Sequence, residues 1–135
     1  MIFDTDIFVW IQRGNTGASR LIEQEEERLL SLQTYLELLR CAQNRRQHEA
    51  TKFFLKTFGF TTLPLTENIG HRAAVYIEAY ALSHGLRAGD ALVAATAAEH
   101  GLTLCTSNAK YFSPIRDLKI RVFKPGSGDA AKLDR

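Results

Sequence analysis

Residues 1–11 read Met-Ile-Phe-Asp-Thr-Asp-Ile-Phe-Val-Trp-Ile, an apolar triplet that runs into Asp4 and Asp6 before the apolar residues resume. A strand of three or four residues that stops on an acid, with a helix starting at once, leaves that acid at the strand's carboxyl end. Open α/β sheets hold their ligands at such ends. The same two acids also suit a plainer use, stopping the strand and capping the next helix. Further acids in matching positions downstream would favour the first use.

Outward from this stretch, a short helix from about Asp6 to Gln12 ends at Arg13-Gly14, and Asn15 is a good N-cap for a second helix that runs from about Gly17 through the acidic run Glu23–Glu27. Leu29 to Leu32 reads as a strand. Thr34 then caps a helix whose apolar residues Tyr35, Leu36, Leu38, Leu39 and Ala42 cover most of its circumference, so a buried helix is expected and Glu37 in its middle is conspicuous. Arg45 to Phe58 continues helical, with Ala50, Phe53, Phe54 and Phe58 on one side, until Gly59 breaks it. Thr61 to Leu65 is a third strand. Thr66-Glu67 opens a long helix that His84-Gly85 closes. Gly89-Asp90 begins an alanine-rich helix that ends at Gly101. Leu102 to Cys105 is a fourth strand with Thr106-Ser107-Asn108 at its carboxyl end, and a last strand lies near Ile120 to Phe123. Strand and helix alternate throughout, which implies a mostly parallel sheet with helices on both faces.

The chain has 135 residues, 45% apolar and 24% charged, as an ordinary globular domain does. A net charge of +2 is too small to announce nucleic-acid binding by itself. Two cysteines, Cys41 and Cys105, without CxxC spacing suit a reducing cytoplasm better than a disulfide framework. No apolar run approaches the 18 or so residues of a membrane span, so a soluble, cytoplasmic protein is expected.

Asp4 ends strand one, Glu37 sits in the helix after strand two, Asp90 starts the helix before strand four, and Asn108 follows that strand. Three of the four follow strands at the carboxyl edge, and Asp90 joins them if its helix starts there. Carboxylates sharing one pocket repel and take up protons unless a cation compensates. Hard oxygen ligands without a nearby His or Cys favour Mg²⁺ or Mn²⁺ over zinc. Such an ion activates water and stabilises the oxyanion leaving a phosphodiester.

The segments carrying these residues are Ile2-Phe3-Asp4-Thr5-Asp6, Thr34-Tyr35-Leu36-Glu37-Leu38-Leu39, Leu86-Arg87-Ala88-Gly89-Asp90-Ala91-Leu92-Val93-Ala94-Ala95-Thr96-Ala97 and Leu104-Cys105-Thr106-Ser107-Asn108-Ala109-Lys110-Tyr111-Phe112. In order and spacing they resemble a PIN-domain ribonuclease of the bacterial VapC toxin type. The resemblance runs from residue 1 to about 124 and leaves 125–135 as a polar, flexible tail. It implies a three-layer α/β/α sandwich around a mostly parallel sheet. It also implies Mg²⁺- or Mn²⁺-dependent cleavage of structured RNA (transfer or ribosomal RNA) and inhibition of translation. A cognate VapB-type antitoxin neutralises such a toxin, lying in a groove between the helix of Phe8, Trp10 and Ile11 and the helices from Tyr35 to Phe58. A homodimer and a higher toxin–antitoxin assembly follow from the same resemblance. Asp4, Glu37 and Asp90 are then the metal-binding acids, Asn108 joins them in catalysis, and Thr5, Asp6, Thr106 and Ser107 support them.

The chain departs from the family at Asn108, where many members carry an aspartate; asparagine keeps an oxygen ligand but removes a charge. Two other readings stay open. A catalytically silent PIN fold would only bind partners, and Asp4-Thr5-Asp6 also matches the nucleophile motif of haloacid-dehalogenase-like phosphatases, although that fold normally has a longer first strand and further acids near its end, and Asp117 lies too close to the final strand to serve as one.

Overall fold

In the computed structural model, which describes residues 1–126, β1 (Ile2–Phe3) is two residues long and takes the middle of a five-stranded sheet. The chain lays β2 (Leu29–Ser31) and β3 (Thr61–Leu63) on one side of it. It then crosses over and adds β4 (Thr103–Thr106) and β5 (Lys119–Val122) on the other. The order is β3-β2-β1-β4-β5, and every neighbouring pair is parallel. Winding therefore reverses between β1 and β4. At such a reversal the connections leave to opposite faces and open a crevice at the carboxyl edge.

Ile2 lies opposite Leu29 and Leu104, while Phe3 lies opposite Cys105. Period-two alternation sends Ile2, Leu29 and Leu104 into one core and Phe3, Leu30 and Cys105 into the other. α5 (Glu67–His84) and α6 (Ala88–Glu99) cover the first core. The second lies under α1 (Thr5–Gln12), α2 (Thr16–Gln24), α3 (Leu32–Cys41) and α4 (Arg45–Thr57). The expected α/β/α sandwich is therefore the observed one. Burial of Ile2 and Phe3 contributes about 1.5–3 kcal/mol each, against about 1 kcal/mol per ladder hydrogen bond, so side chains more than backbone hold the central strand.

Several local expectations change. α3 starts at Leu32, and its cap is Ser31, whose hydroxyl accepts from the Thr34 N–H at 3.0 Å; Thr34 itself is inside the helix and fully buried. Nor is α3 buried all round. Leu36, Leu38 and Leu39 point in directions too different to face one core, and Leu36 is 49% exposed. The surrounded helix is α6, where Ala91, Val93, Ala94, Ala95, Thr96 and Ala97 are all fully buried because small side chains admit α5 and the sheet together. On α4, Phe53 points to solvent while Phe54 and Phe58 pack inward, since adjacent helical residues diverge by about 100°.

α2 stops at Gln24, short of the rest of the acidic run, because glutamates oppose the negative end of the helix dipole. Arg28 serves that end instead, donating to the carbonyls of Ile22 at 2.8 Å and Glu23 at 3.1 Å, and to Phe58 beyond α4 at 2.8 Å. β3 ends at Leu63 because Pro64 has no N–H for the ladder. The tail expected over 125–135 lies, past Gly126, outside the described residues.

Candidate active site at the carboxyl edge of the sheet

Asp4 is the first residue beyond β1, at the carboxyl edge of the sheet. It caps α1, with Oδ1 accepting the Thr5 N–H at 2.8 Å, while its own N–H donates to the Cys105 carbonyl at 2.9 Å and pins it against β4. The buried Thr106 hydroxyl donates to Asp4 Oδ2 at 2.9 Å and lies 3.3 Å from Asp6 Oδ2. Asp6 Oδ2 also accepts the Ser107 N–H at 3.0 Å and the Ser107 hydroxyl. Trp10 donates its indole N–H to Ser107 Oγ at 3.2 Å. The crevice between β1 and β4 is thus closed by one polar network joining residues about a hundred positions apart.

Glu37 enters from α3. Its Oε1 accepts the Thr5 hydroxyl at 2.6 Å, and that hydroxyl sits 3.1 Å from the buried Thr34 Oγ. Gly89, in the first turn of α6, lets the two helices meet there. A Cβ on it would stand 3.0 Å from Glu37 Oε2 and 3.1 Å from Gln33 Nε2. Asp90 follows directly, with Oδ2 3.7 Å from the Arg87 Nε.

Burial, reinforced by the charge of Asp6, pushes the Asp4 carboxyl up to about 7 against the pull of its hydrogen bonds from Thr106 and Thr5; Asp90 adds a smaller push. Burial also raises Asp90, opposed by Arg87 and aided by Glu37. The four acids therefore share one electrostatic field. Asp4, Asp6, Thr106 and Ser107 are joined by hydrogen bonds, as are Thr5 and Glu37. Asp90 couples to Asp4 and Glu37 through charge alone. Asn108 stands at the end of β4 as expected, but its side chain is exposed and it joins the network through its N–H, donated to Thr106 Oγ at 3.0 Å.

Among the described residues no three acids, histidines or cysteines converge tightly enough to enclose an ion; Asp90 acts through charge on Asp4 and feels the charge of Glu37. The donors nevertheless suit Mg²⁺ or Mn²⁺. They are oxygens only, and Asp6 Oδ1 and Asp90 Oδ2 are buried without a hydrogen-bond partner. Mg²⁺ needs only one or two carboxylates and completes its shell with water.

Sequence reasoning missed Ser31, Gln33 and the clearance at Gly89; the available signal was a glycine next to an acid in a first turn, where alanine would favour the helix. Asp117 is occupied elsewhere. Tyr76 Oη lies 3.0 and 3.1 Å from its two carboxylate oxygens, and Arg72 binds both Asp117 and Glu99. Asp117 precedes β5 and Glu99 ends α6 ahead of β4, which puts this cluster at the opposite, amino edge of the sheet. Asp117, already too close to the final strand to serve a phosphatase, is engaged away from Asp4 and Asp6.

Beside the acids, α1, α3 and α4 leave a mostly apolar groove of about 490 Å³. Phe8, Ile11, Leu38, Cys41 and Phe54 line it, and Thr5, the donor to Glu37, stands at its end nearest the acids.

The family model of the PIN domain matches residues 1–117. The fold is similar to a chain of a toxin–antitoxin complex from Klebsiella pneumoniae, at 29% identity over 92% of this chain and 96% of that one, with a TM-score of 0.74. It is similar to a chain of FitAcB from Neisseria gonorrhoeae, at 25% identity over 93% and 98% of the two chains, with a TM-score of 0.67. A chain of VapBC2 from Rickettsia felis bound to a promoter DNA fragment shares the fold at 19% identity over 92% and 100%, with a TM-score of 0.75. No curated protein matches the chain. Among the described residues no helix is long and apolar enough to cross a membrane.

Proposed function

The chain belongs to the PIN-domain family, and on that premise we propose that it is the toxin of a VapBC-type pair, a Mg²⁺- or Mn²⁺-dependent endoribonuclease that cuts structured RNA, transfer or ribosomal, and so stops translation. The observation that carries this reading is the set of acids sharing one field at the β1–β4 reversal, two of them holding buried oxygens with no hydrogen-bond partner. Asp4, Asp90 and Glu37 would hold the ion, with Asp6 adjacent and Asn108 offering an uncharged amide oxygen. When bound, the ion supplies acidity to an attacking water and positive charge to the oxygen leaving phosphorus. The protein's own part is positioning: Thr106 aims Asp4, Thr5 aims Glu37, and Ser107 aims Asp6.

The test pairs growth with chemistry. Produced alone in bacteria, the wild type is expected to arrest translation, and the purified protein with Mg²⁺ to leave discrete new ends in total RNA; Glu37→Gln should do neither. An arrest that persists in Glu37→Gln at equal protein levels overturns the mechanism. Gly89→Ala gives a finer check. Alanine favours a helix by up to about 1 kcal/mol, so melting should hold or rise. The added Cβ crowds Glu37 Oε2, which must give by a few tenths of an ångström, so cleavage should fall, by less than the roughly hundredfold that a displacement of about 1 Å costs. A variant as active as the wild type would show that Glu37 need not stay where it is.

The neighbouring complexes support an antitoxin as partner, and the groove between α1, α3 and α4 is its proposed seat. Cys41 reports on this directly, because it is exposed in the groove while Cys105 is buried with its thiol pushed up to about 12. Maleimide should label Cys41 in the free protein and leave it unlabelled in the complex with the antitoxin encoded beside it. Equal labelling in both states places the antitoxin elsewhere.

A further inference from the structure

One wall of the groove between α1, α3 and α4 is unevenly fastened. The last turns of α4 are anchored three ways. Leu55 is the helix's one fully buried side chain. Phe54 packs on the rings of Phe8, Phe58 and Phe60, the nearest 4.7 Å away centre to centre. Arg28 holds the Phe58 carbonyl at 2.8 Å. The first turns have nothing comparable. Residues 45–50 are all exposed. No acid in the first turn offsets Arg45 and Arg46 at the positive end of the helix dipole. Among the described residues, the polar contacts recorded for 45–51 stay within α4 and its connector 42–44, with one exception. His48 Nε2 lies 2.8 Å from the Leu39 carbonyl oxygen in the last turn of α3. Gln47, Ala50 and Thr51 of this loosely held half line the groove, as do Val9 and Gln12 of α1.

We propose that α4 is a hinged wall: it pivots on the aromatic cluster of Phe54, Phe58 and Phe60, and His48 is the latch that holds its free end on α3 and keeps the groove narrow. A segment with few buried side chains opens at low free-energy cost while the core beneath it stays folded. The connector is extended at both Ala42 and Asn44, so it can swing without unwinding either helix. One exposed hydrogen bond suits a latch, because losing it changes a population by a small factor, whereas a second buried side chain would hold the wall shut. Release carries Gln47, Ala50 and Thr51 outward and opens the apolar floor of Phe8 and Leu38 to an entering segment. The pivot stands apart from the ribonuclease reading. Only the identity of what enters, an antitoxin segment, rests on the seat proposed above.

Spin labels on two pairs of introduced cysteines read the motion, in a Cys41→Ser chain whose Cys105 is buried. Arg13→Cys with Arg46→Cys runs from the end of α1 to the free end of α4, and Arg13→Cys with Lys56→Cys to its anchored end; all three positions are exposed. Without any partner, adding His48→Ala should raise the fraction of long Arg13-to-Arg46 separations about 2- to 12-fold and leave the Arg13-to-Lys56 distribution unchanged. His48→Gln keeps a side-chain N–H donor and should restore the narrow distribution. The amides of residues 49–52 should keep their protection from exchange in His48→Ala, because the helix moves as a unit. A distribution that ignores His48→Ala, or lengthening at both ends together, overturns the pivot. So does loss of protection at 49–52, which is a helix melting from its end. Added antitoxin should lengthen the Arg13-to-Arg46 separation with His48 intact. Antitoxin that shields Cys41 of the native chain from maleimide yet leaves that separation unchanged also overturns the pivot. Antitoxin that binds without shielding Cys41 removes the seat alone, and His48→Ala decides the pivot.

Discussion

Asp4→Asn is expected to abolish RNA cleavage and to make the protein more stable at neutral pH. The two effects have one cause. Burial and Asp6 lift the folded-state value of Asp4 from 3.8 to about 7. Below about pH 4 the carboxyl is protonated in both states. Between about 4 and 7 the unfolded chain gives up this proton and the folded chain keeps it, so stability falls as pH rises, by up to about 1.4 kcal/mol per unit. Above about 7 the loss is complete, at no more than about 4 kcal/mol and less once neighbouring acids adjust together. Asparagine does not titrate and escapes the loss. Melting curves from about pH 4 to about pH 8 should therefore show the wild type weakening where Asp4→Asn stays level. Mn²⁺ should raise the melting temperature of the wild type and leave the variant unmoved. Cleavage should fall at least about a hundredfold, since the ion's several kcal/mol of charge stabilisation go with it. A wild type whose stability is flat across this window would show that Asp4 is not held protonated by its surroundings.

Thr106→Val should damage both fold and activity with hardly any change of shape. The hydroxyl is fully buried, donates to Asp4 Oδ2 and accepts from the Asn108 N–H. Valine leaves both partners unsatisfied, at about 1–3 kcal/mol apiece, so a loss of about 2–4 kcal/mol is expected in denaturant unfolding. The same hydrogen bond lowers the Asp4 value, so removing it raises that value further above about 7. A metal ligand must be ionised. Cleavage by the variant should fall at neutral pH and recover toward alkaline pH, shifting the pH–rate profile upward. Thr106→Ser keeps the hydroxyl and should restore most of both properties. A Thr106→Val protein with the wild-type profile would take Thr106 out of the control of Asp4.

Asp4, after Ile2-Phe3, and Asp90, before the alanines, were legible because each borders an apolar run, and Glu37 because it interrupts one, since a charge among core residues needs a reason to be there. Helix environment was less legible. The leucines of α3 suggested a surrounded helix and the alanines of α6 only a closely packable one, yet α6 is the one enclosed on all sides. Counting apolar residues measures hydrophobicity, whereas full enclosure depends on how closely neighbours can come, and alanine permits that better than leucine. Boundaries moved for similarly local reasons, Ser31 outcompeting Thr34 as a cap and Pro64 ending a ladder. The clearance at Gly89 was invisible because it depends on Glu37, brought there by a different part of the chain.

The reversal of winding between β1 and β4 also sets a schedule. β1 emerges from the ribosome first, yet the partner that completes the crevice, Thr106, stands 102 residues behind Asp4. At a synthesis rate of roughly 5–20 residues per second, that interval lasts several seconds. During it, α1, α3 and α4, which line the apolar groove, are already made, while half of the acid-holding network is not. On the proposed reading, the delay separates binding competence from cutting competence in time, and an antitoxin seated in the groove would meet the nascent chain before its acids are assembled.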